Sequence, residues 1–77
     1  MELKIGEVIV LEDEKEFVVI DKIKMNNKIY LMLSNVEDSN DIAVRIEDIE
    51  QDMIFGLDSE EELSQVLTLY AKKMGIN

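Results

Sequence analysis

Residues 16–34, EFVVIDKIKMNNKIYLMLS, contain two apolar runs on either side of an asparagine pair. Val, Ile, Phe and Tyr favour strands, and the alternation of apolar and charged residues along 21–25 is typical of a strand with one solvated face. Asn26 and Asn27 suit a two-residue turn, because Asn tolerates positive φ. The segment therefore predicts a β-hairpin with strands at residues 16–25 and 28–34.

Further strands are predicted on both sides of this hairpin. Residues 6–12 are rich in Val, Ile and Leu, residues 42–47 alternate apolar with other side chains, and residues 53–57 suit a short last strand. A polar loop at residues 34–41 separates the hairpin from the fourth strand. Consecutive strands joined by short turns are antiparallel by default, which predicts a β-meander.

A helix over residues 60–74 is predicted at the end of the chain. Ser59 and Glu62 have the spacing of a capping box, and the glutamates of the first turn suit the positive end of the helix dipole. Gly75 is a natural end point for the helix. A single apolar stripe runs along the helix and consists of Leu63, Val66, Leu67, Tyr70 and Met74.

These elements predict one small α+β domain over residues 1–77, with an antiparallel β-meander of four to five strands at about 6–57 and one C-terminal helix packed on the sheet. One helix covers only one face of a sheet. The second and third strands, however, are apolar on both faces. The residues assigned to the helix-covered face are Phe17, Val19, Ile29, Leu31 and Leu33.

Three explanations account for the second apolar face: the sheet curls into a partial barrel, the chain forms a homodimer, or the face binds a protein partner. Curling is favoured because it lets a small sheet bury both of its faces. The candidate interface residues are those predicted on the uncovered face, together with one leucine outside the helix stripe: Val18, Ile20, Tyr30, Met32 and Leu69.

The residue types needed for most catalytic sites are missing. The chain has no Cys and no His, so it offers no thiolate, no imidazole and no base to activate its serines. Its three glycines are scattered, which excludes a glycine-rich phosphate loop. The acidic loop at residues 37–41 lacks the EF-hand glycine and favours a polar turn over a calcium site. We predict no catalytic residue, no metal site, no cofactor and no enzymatic activity.

The chain is strongly acidic, with 18 acidic and 8 basic residues and a net charge of −10. Binding to nucleic acid or anionic lipid needs clustered Lys and Arg, so neither direct nucleic-acid binding nor membrane binding is expected. The charge either keeps the domain soluble or docks it on a basic partner, and the first role is the more common one. The N-terminus has no signal-peptide pattern, which predicts a cytoplasmic protein.

Several short motifs recur in one known family. They are EFVVID at residues 16–21, KIYLML at 28–33, AVRI at 43–46, and SEEEL at 59–63 followed by LTLY at 67–70. Together they resemble the YrzB-like family of small acidic proteins, a domain of unknown function found mainly in Firmicutes. The resemblance spans roughly residues 6–74. It implies a small sheet with a helix in a bacterial protein, without a known activity or functional residues to transfer.

The leading functional hypothesis is a non-catalytic protein–protein interaction module that binds a partner or itself. It depends on the missing catalytic chemistry and on the apolar central strands. The alternative is an acidic protein that mimics nucleic acid and inhibits a nucleic-acid-binding protein. That alternative depends only on the net charge of −10.

Overall fold

The computed structural model describes residues 2–75 and contains one antiparallel sheet and one helix. The five strands are hydrogen-bonded in chain order. In that order the elements are β1 (Val8–Val10), β2 (Glu16–Met25), β3 (Lys28–Asn35), β4 (Ile42–Asp48), β5 (Met53–Phe55) and α1 (Glu60–Lys73). The predicted α+β class, with an antiparallel meander and one C-terminal helix, is confirmed.

The β2–β3 turn has the backbone that the asparagine pair predicted. Asn26 and Asn27 have φ angles of 54° and 60°, as a two-residue type I′ turn requires. The turn joins Met25 to Lys28, which pair with each other at the end of the hairpin. This local choice sets the register of the two longest strands.

The helix begins and ends close to the predicted residues. The Ser59 hydroxyl accepts a hydrogen bond from the Glu62 amide at 3.1 Å. The Glu62 carboxylate accepts one in return from the Asp58 amide at 3.0 Å, one residue before the expected partner. At the far end Gly75 has a φ of +79° and its amide donates to the Lys72 carbonyl at 3.1 Å, which ends the helix.

A β-bulge at Ile20 changes which face of the sheet the later residues of β2 lie on. Val19 pairs with Leu33, whereas Asp21 pairs with Met32, so β2 contains one extra residue between the two pairs. Paired residues share a face of the sheet. The odd-numbered residues of β2 that follow the bulge therefore lie on the opposite face from Val19.

The helix packs on the face that contains Tyr30 and Met32, so the predicted assignment of the two faces is wrong. The physical reason is that β3 is apolar on both faces, and strand alternation does not specify which of two apolar faces a helix covers. The grouping itself holds, since Phe17 and Val19 share a core with Leu31. The buried residues on the face beneath α1, here called the helix-side core, are Ile23, Tyr30, Met32, Val44 and Val66. Those on the other face, here called the inner core, are Leu11, Phe17, Val19, Leu31 and Leu33.

The inner core is enclosed because the sheet curls. Leu3 and Ile9, near the first edge of the sheet, line the same small cavity as Met53 and Ile54 at the last edge. Residues from opposite edges can line one cavity only if the sheet bends round toward a half-barrel. The favoured explanation of the second apolar face, a curled sheet, is therefore confirmed.

An ion pair closes the same side of the sheet. The Lys22 ammonium lies 3.0 Å from the Glu47 carboxylate, whose side chain is only 2% exposed, and 3.3 Å from that of Glu2. The Glu47 carboxylate also accepts a hydrogen bond from the Leu3 amide at 2.7 Å. Burial lowers the pKa of Lys22, but the hydrogen bonds that its ammonium donates to Glu47 and Glu2 outweigh burial and raise that pKa overall. The start of the chain is thus tied to β2 and β4.

Candidate functional site

The first half of β4 has a hydrogen-bonded neighbour on one side only. β3 pairs with β4 from Ile42 to Glu47. β5 pairs only with residues 46–48 on the other side. Residues 42–45 therefore form an open strand edge, and such an edge presents unpaired backbone donors and acceptors.

The direction of the backbone groups along this edge follows from one hydrogen bond. The Asn35 amide donates to the Asp41 carbonyl at 3.0 Å, so Asp41 directs its backbone toward β3. In an antiparallel strand the direction alternates from residue to residue. Ile42 and Val44 therefore direct their N–H and C=O groups away from β3. In agreement with this, the Val44 carbonyl accepts a hydrogen bond at 2.8 Å from the guanidinium of Arg45.

An apolar groove runs along the same edge. Four consecutive residues of β4, 42–45, line it together with residues of α1 and of the connection before α1. Consecutive strand residues point to opposite faces, so a groove that touches all four lies along the edge of the strand. Its volume is about 620 Å³. We call it the β4–α1 groove.

The wall of the β4–α1 groove is formed by one flank of the helix. Leu63 and Leu67, one helical turn apart, line it and remain 36% and 41% exposed. Val66 faces the sheet and is fully buried. The sequence predicted all three as one stripe beneath the helix, but a single helix brings only the centre of a wide stripe into the core. The two leucines are consequently left beside the open edge.

Acidic side chains border the groove at its α1 end. Asp58 and Glu60 line it there. The cation of the groove, Arg45, is already paired with Glu12 on the β1–β2 turn. A hydrogen bond from its own backbone and the hydrogen bond from Arg45 lower the pKa of Glu12, so this pair stays ionised at neutral pH. Asp58 lies 3.7 Å from the Lys28 ammonium, but Lys28 also pairs with Glu62. The net charge bordering the groove is therefore negative.

A polar cluster beneath the start of α1 holds the helix on the sheet. The Tyr30 hydroxyl donates to the Glu62 carboxylate, and the Lys28 ammonium lies 3.1 Å from the same carboxylate. The hydrogen bond from Tyr30 lowers the pKa of Glu62, and burial raises the pKa of Tyr30. Proton-transfer groups need pKa values near the working pH. Here both values move away from neutrality, which suits a fixed anchor.

In the polar loop between β3 and β4, side-chain oxygens accept hydrogen bonds from other residues of the same loop. The Asp38 carboxylate accepts from the Asn40 amide at 3.0 Å, and the Asn35 side chain donates to the Asp41 carboxylate at 3.1 Å. These bonds are those of a polar turn. Within residues 2–75 no group of three or more acidic side chains has the arrangement of a metal site.

The predicted interface residues do not form one exposed surface. Tyr30 and Met32 have no exposed surface and lie beneath α1, so their assignment to an uncovered face is wrong, because the helix packs on this apolar face of β3 and not on the other. Val18 and Ile20 are half-buried on β2. Leu69 is 38% exposed. It lies about 200° around the helix from Leu67, on the flank away from the β4–α1 groove.

Sequence reasoning missed the residues that do line the groove. The predicted strands gave no signal for it, because the last one, residues 53–57, was nearly as long as the fourth, residues 42–47. The observed β5 ends at Phe55. A strand of three residues leaves part of a seven-residue neighbour unpaired. The exposure of Leu63 and Leu67 could not be read from the stripe, because it depends on where the helix crosses the sheet.

Comparisons of the chain with protein-family models, with curated proteins and with solved structures found no match. Among the described residues, no helix has the length and apolar character needed to cross a membrane. The functional inference therefore depends on the geometry of the groove and on the charge of the chain.

Proposed function

We propose that this domain is a non-catalytic protein-interaction module of the cytoplasm and that it binds a protein partner through the β4–α1 groove. One observation carries the proposal: an open strand edge at residues 42–45 runs beside two exposed leucines, Leu63 and Leu67. Exposed apolar side chains that line a groove next to unpaired backbone groups are typical of protein-binding sites.

A different protein is favoured over a second copy of the chain. Each chain has a net charge of −10, so two copies repel each other. Asp58 and Glu60 add negative charge at the border of the groove itself. Charge complementarity steers association and disfavours partners of like charge. A partner with a basic surface around an apolar centre meets both requirements.

The alternative function, mimicry of nucleic acid, is less well supported. It requires carboxylates in a continuous row with spacing near that of phosphates. In a meander, the acidic turns at residues 12–14 and 37–41 lie at one end of the sheet, and the turn at 49–52 lies at the other. This division favours a solubilising role for the charge.

Affinity capture with matched variants tests the proposal. The tagged domain and its Leu67→Ser and Leu69→Ser variants are used to capture proteins from lysate of the source cells, with and without nuclease, and the bound proteins are identified by mass spectrometry. Both substitutions remove a leucine of similar exposure from the same helix, so losses in helix propensity cancel. The two differ in that only Leu67 lines the groove.

A partner that is retained by the wild type and by Leu69→Ser, but lost with Leu67→Ser, supports the proposal. Equal loss with both variants, or retention by both, contradicts it. A nucleic-acid-binding protein that is displaced by added DNA or RNA and held only at low salt would instead support mimicry. Recovery of the domain alone, with a dimer in light scattering, would indicate self-association.

A further inference from the structure

We propose that the β4–α1 groove takes an extended segment of the partner, which adds to the open half of β4 as a further strand and carries alternating apolar and basic side chains. This inference is based on the proposed function and names the conformation and chemistry of the segment that binds. It follows from the backbone of the groove as well as from its side chains.

The backbone at the edge favours a strand over a helix as the occupant. Ile42 and Val44 each direct one donor and one acceptor out of the sheet, away from the pairing with β3. A helix satisfies its own backbone groups and would leave these without partners, whereas an added strand bonds to them directly. Residues 42–45 span about 13 Å, enough for a segment of four to five residues.

The groove occupies the space that a longer β5 would fill. β5 ends its pairing with Phe55 opposite Ile46. In the same register Gly56 and Leu57 would next face Arg45 and Val44, but no pairing occurs there and the chain turns to begin α1 at Glu60. The sheet therefore has room for a further strand beside residues 42–45, and the chain itself does not fill it.

Without a partner strand, Arg45 satisfies one of the backbone acceptors of the open edge. Its guanidinium donates to the outward carbonyl of Val44 at 2.8 Å and also pairs with Glu12. An incoming backbone N–H can replace the first of these bonds while the second continues to hold the side chain. The exchange replaces one hydrogen bond by another, so the edge can be protected without being blocked.

The side chains of the added strand have different surroundings on its two faces. Those that point toward α1 meet Leu63 and Leu67, which favours apolar residues at alternate positions. Glu60 lies one helical turn before Leu63 and lines the same groove, so a Lys or Arg suits the end of the segment that lies beside the start of α1. The side chains between the apolar positions point to the opposite face, where the net charge of −10 favours basic over acidic residues. An alternating apolar and basic segment with Lys or Arg at the start of α1 meets these conditions.

A synthetic peptide of about eight residues, alternating valine and lysine, is the probe. Three control peptides accompany it. One is N-methylated on alternate residues, which removes the N–H groups that would face β4. The second has glutamate in place of lysine, and the third has a scrambled order without alternation. Binding is followed by amide chemical shifts and hydrogen exchange of the ¹⁵N-labelled domain. The expected result is slowed exchange at the Ile42 and Val44 amides with the first peptide only.

Two variants of the domain sharpen the test. Leu67→Ser is expected to weaken binding about tenfold or more by removing the apolar wall, and Leu69→Ser to leave it unchanged. Ile42→Pro removes one outward N–H at the first residue of β4, where proline is tolerated, and is expected to weaken binding and reduce the protection of the Val44 amide. An unchanged amide spectrum elsewhere shows that the variant is folded, and the N-methylated peptide tests the same point without any variant.

Equal binding of the N-methylated peptide, protection at the β1 edge instead of β4, or no protection at millimolar peptide would each overturn strand addition. The proposed function is judged separately by capture from lysate. In one outcome, capture of a partner depends on Leu67 and not on Leu69 while the peptide shows no protection of β4. That result supports the proposed interaction module and rejects strand addition. If no captured partner depends on Leu67, the proposed function itself fails.

Discussion

The two cores of this domain are closed by different means. The inner core is closed by the curl of the sheet and by the Lys22–Glu47 ion pair, and its central residues Leu31 and Leu33 have no exposed surface. The helix-side core is closed by one helix that buries Val66 and leaves Leu67 exposed on its flank. A curled sheet encloses its own face, whereas a helix only about 10 Å wide leaves a strip of strand uncovered beside it.

The largest effect is expected at the centre of the inner core. Leu31→Ala removes a side chain with no exposed surface and leaves a cavity, at a cost of about 4 kcal/mol in the free energy of unfolding. A domain of this size has a stability of roughly 5 kcal/mol or less, so the variant should be close to its unfolding transition in water. Urea unfolding followed by circular dichroism measures the loss.

The ion pair that closes the inner core gives the second largest effect. Glu47→Ala leaves the Lys22 ammonium without its buried partner and the Leu3 amide without its acceptor, at an expected cost of about 3 kcal/mol. The same urea experiment measures it. A cost below 1 kcal/mol would show that the start of the chain contributes little to closing this core.

A smaller loss is expected beneath the helix. Val66→Ala removes two methyl groups from the helix-side core and should cost about 2 kcal/mol. The order of the losses tests the comparison directly. If Val66→Ala proved more costly than Leu31→Ala, the helix and not the curled sheet would be the main source of stability.

The polar anchor of the helix predicts a pH dependence with a definite sign. The hydrogen bond from Tyr30 lowers the pKa of Glu62 below its usual 4.5 in the folded chain. Its carboxylate therefore stabilises the fold fully above pH 4.5, and this contribution is lost as the pH falls through the folded pKa. The difference in Tm between the wild type and Glu62→Gln should be largest near neutral pH and should shrink in acid.

Glu61→Gln is the matched control for this pH experiment. Glu61 is exposed in the same helical turn, so its substitution removes the same charge from the positive end of the helix dipole. The part of the pH dependence that is specific to the anchor is the difference between the two variants. If both variants followed the same curve, the Tyr30 contact would contribute nothing beyond the helix dipole.

Local chemistry made most of the fold predictable. The asparagine pair at 26–27 set the hairpin, and Ser59 with Glu62 set the start of α1, because turns and caps depend on a few neighbouring residues. The bulge at Ile20 was not predictable, since no Gly or Pro marks it and it depends on how β2 and β3 pair. The bulge moves Ile23 to the helix side, beside Tyr30. The side that the helix covers was not predictable either, because β3 is apolar on both faces, and for that reason the predicted interface at Tyr30 and Met32 was wrong.

The groove was missed for a related reason. Its residues are ordinary apolar residues of a strand and a helix, and their exposure depends on where the helix crosses the sheet. Neither Leu63 nor Leu67 differs in sequence context from the buried Val66. The predicted last strand, residues 53–57, would have paired with β4 as far as Val44, whereas the observed β5 ends at Phe55 and leaves that stretch open.

The smallest effects on stability are expected on the two exposed flanks of the helix, which should differ in binding and not in stability. Leu67→Ser and Leu69→Ser each alter an exposed position, and each should change the free energy of unfolding by only about 0.5 kcal/mol. Binding should nevertheless differ, because only Leu67 lines the β4–α1 groove. Urea unfolding of both variants, together with peptide titration, measures the two quantities side by side. If the β4–α1 groove is a binding site, the two variants should be equally stable but should bind the peptide unequally. A loss of stability confined to Leu67→Ser would show that this leucine belongs to the core.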